Sequence, residues 1–161
     1  MRTNDLIKIV NVTKTLRAIV LEDDPETNDL MCSAFENFFN KVYSALDGKT
    51  ALELYKRHQP DIIFIDIILP GKNGLQIAKE IRNINPKQII VIVSGSNDMG
   101  DISEAVKIGV NNFIRKPIDT DKMIDVLNDI VSDLKREKKE FKKMLKKKLK
   151  KELKKELQNL S

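Results

Sequence analysis

A chain of 161 residues with 41% apolar residues fits one core of about 100 to 150 residues plus an extension, and excludes two full domains. Charged residues reach 33% against a usual share of about 25%, and the excess is local: residues 135–161 carry 13 Lys and Arg against 4 Asp and Glu, while residues 1–134 carry 16 against 20. The net charge of +5 therefore hides a mildly acidic body and a basic end segment, which disfavours a nucleic-acid-binding globule and confines any polyanion contact to that segment.

Residues 1–15 contain Leu6, Ile7, Ile9, Val10 and Val12, an arm with enough apolar surface to dock but no clean period. From Leu16 onward, short β-rich apolar runs alternate with segments of helical period. This is the pattern of a parallel sheet flanked by helices. Strands are expected over 16–21, 41–45, 62–66, 88–94 and 110–115. The first, third and fourth are nearly continuous apolar runs, as central strands buried on both faces should be. Helices are expected over 26–39, with Leu30, Ala34 and Phe38 on one face, and over 50–58, 74–84 and 101–108. Pro60 and Pro86 stand where two of them should stop. A last amphipathic helix over 119–134 presents Met123, Leu127, Ile130, Val131 and Leu134, with Asp119 or Thr120 as its N-cap. The expected fold is α/β, a (βα)5 doubly wound parallel five-stranded sheet of flavodoxin-like type with a C-terminal helical extension. The expected units are an N-terminal arm (1–15), the α/β domain (16–134) and a Lys-rich tail (135–161).

In an open parallel sheet the residues that end different strands converge on one edge. Here these are Glu22, Asp23 and Asp24 after the first strand, Asp66 after the third, Ser94 after the fourth, and Lys116 and Pro117 after the fifth. Crowded carboxylates repel unless a cation neutralises them, and an all-oxygen cluster suits Mg²⁺. Asp66 ends a buried strand and opens a loop with Pro70, Gly71 and Gly74. A carboxylate so held beside Mg²⁺ and a lysine can act as a nucleophile toward phosphorus, giving an aspartyl phosphate.

Four segments in order, VLEDDP (20–25), IDIILPGKNG (65–74), VSGS (93–96) and RKPI (115–118), resemble the receiver domain of two-component response regulators, of the single-domain chemotaxis type, over residues 16–131. The resemblance implies that Asp66 is the phosphoacceptor, that Glu22, Asp23 and the backbone carbonyl of Ile68 join it around Mg²⁺, and that Asp24 falls outside the pair. It also implies that Ser94 bonds a phosphoryl oxygen, that Lys116 pairs with it, that Phe113 is the aromatic switch position, and that Pro117 follows a cis bond. Glu22 stands for the more usual Asp and Phe113 for a frequent Tyr, so switching by packing is expected without an added hydrogen bond. Ile68, two residues past the acceptor, cannot orient a water, so a long-lived phosphoryl group is expected. The implied partner is a sensor histidine kinase or phosphotransfer protein. The implied role is switching of protein–protein contacts in phosphorelay signal transduction, with self-catalysed transfer and slow autodephosphorylation rather than turnover.

Other chemistries find little support. His58 is the single histidine, which disfavours a zinc site or a histidine-based triad, and its place before Gln59 and Pro60 reads as a polar helix end. No GxxxxGK[ST] occurs, and no GxGxxG follows the first strand. A flavin site would open with hydroxyls where EDDP stands, and an aspartyl phosphatase would carry a second acid where Ile68 stands. Cys32, the one cysteine, cannot form an intrachain disulfide and reads as packing. It and a Met1 region unlike a secretory leader make the cytoplasm the default. No run approaches the ~18 apolar residues of a membrane span.

The tail contains no Gly or Pro, so helix continuing from the last domain helix is favoured. Like charges at i, i+4, such as Lys143 and Lys147, cost a few tenths of a kcal/mol each and should fray it at low salt. Phe141, Leu145, Leu149, Leu153 and Leu157 recur every fourth residue, which is not the 3.5 period of a coiled coil. A weak helix that forms a homodimer or docks on a partner, a helix drawn to an anionic membrane surface, and an electrostatic nucleic-acid contact all stand as readings. Two rival accounts of the whole chain are an interaction module working through its tail, and the N-terminal fragment of a regulator with a separate output domain.

Overall fold

Five β-rich runs form the strands β1 (Arg17–Leu21), β2 (Lys41–Ala45), β3 (Ile62–Ile65), β4 (Ile89–Ser94) and β5 (Asn112–Arg115). All pair in parallel in one sheet of order β2-β1-β3-β4-β5. The computed structural model describes residues 3–160; Met1, Arg2 and Ser161, at the outer ends of the expected arm and tail, lie outside the described residues. Every residue of β3 and β4 is buried, because helices cover both faces, whereas the edge strand β2 is largely open.

Among the described residues the helices are α1 (Thr3–Thr13), α2 (Pro25–Phe35), α3 (Gly48–His58), α4 (Gly74–Ile84), α5 (Met99–Ile108) and α6 (Thr120–Asn159). Strand side chains alternate between two cores. Val20, Phe64, Val91 and Ile114 face α1, α2 and α6, while Ile19, Ile63, Ile65 and Ile92 face α3, α4 and α5. Each fully buried side chain of this size contributes about 1.5–3 kcal/mol. Side-chain oxygens of Asp24, Asp47, Asn73, Asp98 and Asp119 cap α2 to α6, satisfying N–H groups that the helices leave open. Asp119, rather than Thr120, caps α6. The left-handed residues Gln59 (φ 45°) and Gly109 (φ 79°) close α3 and α5. No helix among the described residues is long and apolar enough to cross a membrane.

Two segments depart from the sequence reading, and the expected helical extension is present. Residues 3–13 are a helix packed against α6, with Ile9 and Thr13 buried and Ile7 outward. The period was hidden because the face is completed by Thr13, a polar residue. In α2 the expected face is the wrong one: Leu30 is 68% exposed and Ala34 is open too, while Asn28, Met31, Cys32 and Phe35 turn inward. A buried Asn broke the apolar count, and the helix stops at Phe35 rather than residue 39. As expected of the C-terminal extension, α6 runs without a break from Thr120 to Asn159, since the Lys, Leu and Glu of the tail are good helix formers and their like-charge cost is small per pair.

Candidate functional site

The strand order reverses between β1 and β3, so the crevice outside their carboxyl ends is the expected ligand position in an open α/β sheet. Backbone bonds set it: Glu22 N–H donates to Ala45 O (3.1 Å), Asp66 N–H to Leu21 O (2.9 Å) and Lys116 N–H to Ser94 O (2.9 Å). Glu22, Asp23 and Asp66 thereby bring carboxylate oxygens within 4.8 Å of one another. Lys116 Nζ reaches Asp66 Oδ2 at 2.9 Å and Glu22 Oε2 at 3.0 Å. Glu22 (3% exposed) and Asp66 (7%) are buried, while Asp23 is exposed and forms the open side.

Two buried carboxyls share one ammonium, and their titration follows from that shortage. Burial, then the neighbouring Asp66, pushes Glu22 up to about 7, with Lys116 pulling the other way. Burial also acts to raise Asp66, but hydrogen bonds from Glu22 and Lys116 and the lysine's charge outweigh it and hold Asp66 below its usual range. Desolvation opposes the charge on Lys116, yet its two carboxyl partners keep its pKa raised. Glu22 therefore holds its proton up to about neutrality, and below that pH the buried pair sets one carboxylate against one ammonium. Three oxygen-bearing acids with a single balancing cation form a donor set that fits Mg²⁺.

The other sequence candidates lie around this cluster. Ile68 donates its N–H to Asp66 Oδ1 (3.3 Å), which aims the carboxylate, and its side chain is 67% exposed. Ser94 is fully buried at the end of β4, its Oγ accepting from Ser96 N–H (3.1 Å). Ser96 Oγ in turn donates to Asp101 Oδ2 (2.8 Å). Phe113 stands opposite Ile92 in the ladder and is half-buried against the α3–α5 core. The Lys116–Pro117 bond is cis. Asp24 is turned away into the α2 cap, accepting from Thr27, and those hydrogen bonds hold its carboxyl low. His58 stacks on Tyr43 with ring centroids 4.0 Å apart, far from this chemistry.

Asn28 is the residue that sequence reasoning missed. Fully buried in α2, it donates from Nδ2 to Glu22 O (3.0 Å) and Ala45 O (2.9 Å). Its Oδ1 accepts from Ser44 Oγ (2.6 Å) and Cys32 Sγ (3.2 Å). It ties the acidic loop to β2, and nothing in its sequence neighbourhood signals this beyond a polar residue on what proves to be a core face. Asn28→Ala takes the side-chain partner from Glu22 O and from the Ser44 hydroxyl and removes one of the two donors to Ala45 O, and is expected to cost about 2–4 kcal/mol in urea unfolding.

A doubly wound parallel sheet with an acid–lysine cluster at its switch point places the molecule among flavodoxin-like α/β proteins. Within that class the chain belongs to the response regulator receiver domain family, whose family model matches residues 18–128. It is 37% identical over 84 residues to the chemotaxis protein CheY of Thermotoga maritima, covering 52% of this chain and 70% of that one. With Bacillus subtilis CheY it is 32% identical over 93 residues, 58% and 78% of the two chains. Among solved structures, the N-terminal domain of an uncharacterized Wolinella succinogenes protein matches with TM-score 0.70 and 28% identity, over 76% of this chain and 99% of that one. The beryllofluoride-activated receiver domain of Klebsiella pneumoniae RstA shares the fold at TM-score 0.63 and 24% identity, over 69% and 94%. The chain is thus a receiver domain of two-component signalling, a regulatory family.

Proposed function

We propose that this receiver, comprising residues 16–134, accepts a phosphoryl group on Asp66 in the cytoplasm from the phosphohistidine of a sensor kinase or phosphotransfer protein, in a Mg²⁺-dependent reaction. The observation that carries the reading is the convergence of Glu22, Asp23 and Asp66 within 4.8 Å, with Lys116 Nζ 2.9 Å from Asp66. Asp66, held below its usual pKa, is ionised and presents its oxygen as the nucleophile. The new bond joins that oxygen to phosphorus, the bond from phosphorus to the donor nitrogen breaks, and the departing imidazole takes a proton from solvent. Glu22, Asp23, Asp66 and the Ile68 carbonyl would hold Mg²⁺, which supplies positive charge to the phosphoryl oxygens. Lys116 offers its ammonium to the same oxygens.

Beside Lys116 lies an apolar groove of about 580 Å³, lined by Leu30, Ala34, Pro117 and Ile118 among others. The outward apolar face of α2 thereby becomes the docking floor for a phosphodonor protein. After transfer, the Ser94 hydroxyl, which accepts from Ser96 N–H before it, turns to donate its proton to a phosphoryl oxygen, and Phe113 packs into the space this opens. The α5, β5 and α6 face is then read by a partner or a second copy. The exposed, apolar Ile68 offers attacking water no hydrogen bond, so loss of the group is slow.

Incubation with acetyl phosphate and Mg²⁺, followed by intact mass spectrometry and borohydride trapping, tests the assignment. The expected result is one phosphoryl group per chain, mapped to Asp66 and absent when the metal is chelated. No uptake from either acetyl phosphate or a phosphorylated kinase, or a group mapped elsewhere, would falsify it.

A further inference from the structure

Every described residue from Lys135 to Leu160 is exposed, and the segment has a regularity that phosphoryl acceptance does not use. Residues 137–156 read EKKE, FKKM, LKKK, LKKE and LKKE, five successive units of four with lysine at the second and third places. Phe141, Leu145, Leu149, Leu153 and Leu157 head successive units and are 44–61% exposed. Four residues of α-helix turn 400°, so this apolar row advances about 40° per unit and sweeps about 160° over about 24 Å. Lys142, Lys146 and Lys150 run alongside it.

We propose that residues 141–160 of α6 seat on the surface of an anionic lipid bilayer. The occupant follows from charge and shape together. A second copy of the tail would bring another 13 basic and 4 acidic residues against the same number, so pairing of tails is opposed. Phosphates of a nucleic acid would satisfy the lysines and leave five large apolar side chains in water. A rigid protein groove takes a stripe that stays on one side of a helix, about 100° wide, not one that rotates through 160°. A fluid interface accepts a half-cylinder of leucines, while the lysine stems lie along it and their ammonium groups reach the headgroups.

The placement of the helix agrees. From its start after β5, α6 crosses the sheet and emerges at the strands' amino ends, where Leu134 and Glu137 line a cavity with Asp61 and Gln88. The acidic cluster lies at the opposite, carboxyl edge. An anionic surface that takes the tail lengthwise therefore leaves that cluster at the far end of the domain from the seated residues, open to a phosphodonor. The proposal stands independently of whether Asp66 accepts a phosphoryl group.

Co-sedimentation of the full chain with vesicles of phosphatidylcholine containing phosphatidylglycerol, and of phosphatidylcholine alone, tests it. The expected result is binding to the mixed vesicles that falls about tenfold or more on neutral vesicles and in about 0.5 M salt. Leu149→Ser with Leu153→Ser is expected to lower the binding about tenfold, with far-UV circular dichroism recording that the domain stays folded. Absence of binding, or equal binding to neutral vesicles, overturns the proposal. So does binding that the two serines leave unchanged, which would mean a purely electrostatic contact.

Discussion

Asp66→Asn is expected to abolish phosphoryl uptake and, at pH 8 without metal, to give a chain about 1–2 kcal/mol more stable than the unsubstituted one. The loss of uptake follows from removing the nucleophile. The gain follows from the shortage of positive charge around Glu22 and Asp66, which share the single ammonium of Lys116. Glu22 titrates near 7 in the folded chain against an ordinary value of 4.5, so between those values the folded state binds more protons than the unfolded state. Stability from that proton is complete below about pH 4.5 and is lost as pH rises through 7, by on the order of 3 kcal/mol. With Asn at position 66, Glu22 faces Lys116 alone, and its ionisation costs less. The acid side has the opposite sign. Asp66 is held below its ordinary value, so its ion pair stabilises the fold above that value, and the substitution forfeits this when Glu22 is protonated. The two stability curves should therefore cross between pH 4.5 and 7. Urea unfolding at pH 5.5 and 8 in chelator measures the crossing, and Mg²⁺ should rescue the unsubstituted chain at pH 8 far more than the variant. Parallel pH profiles for the two proteins would show that the carboxyls do not compete for Lys116.

The acids and the lysine of this site were legible because topology alone brings strand ends together. Once 16–21, 62–66 and 110–115 read as parallel strands, Glu22, Asp66 and Lys116 had to meet at one edge. That Glu22 is pushed up while Asp66 is held down was not legible, since it depends on Glu22 being buried and Asp23 open, a difference that adjacent letters do not carry. Asn28 escaped for a related reason. Its amide satisfies two carbonyls and two donors, two of them in β2 and 16 and 17 residues away, and no local pattern encodes partners at that distance.

The same limit explains the fold. Strands β3 and β4 were plain because burial on both faces demands unbroken apolar runs. Helix α1 and the inward face of α2 were obscured because a polar residue, Thr13 or Asn28, occupies a core position and finds its hydrogen bonds there. Leu30 and Ala34 formed a convincing stripe, yet that stripe lies open beside Lys116. An apolar periodicity reports a surface that avoids water, and it does not say whether the covering is the chain's own core or another protein.

Gly74→Ala is expected to cost about 3 kcal/mol or more and to suppress phosphoryl uptake, although it alters no charge. A Cβ at this position would stand 1.8 Å from the Asp66 carbonyl oxygen, 2.7 Å from its carbon and 2.9 Å from Ile67 Cα. These are backbone atoms of the acceptor's own loop, so no side chain can rotate out of the way. Gly74 N–H also donates to Ile67 O at 2.8 Å, which clamps the first turn of α4 onto the end of β3. The capping box of Asn73 and Gln76 begins there, so a methyl group must push α4 out and loosen the cap, or push Asp66 away from Lys116. Two other glycines serve as controls. Gly71 has φ +75° with nothing within 4 Å of an added Cβ, so alanine there should cost about 1–2 kcal/mol through the left-handed backbone alone. Gly95 likewise has nothing within 4 Å, and alanine there should stay within about 0.5 kcal/mol. Urea unfolding of the three variants, with acetyl phosphate uptake measured alongside, orders them. A Gly74→Ala chain as stable as the Gly95→Ala one would mean that α4 does not press on the acceptor loop, and that the aim of Asp66 is set from elsewhere.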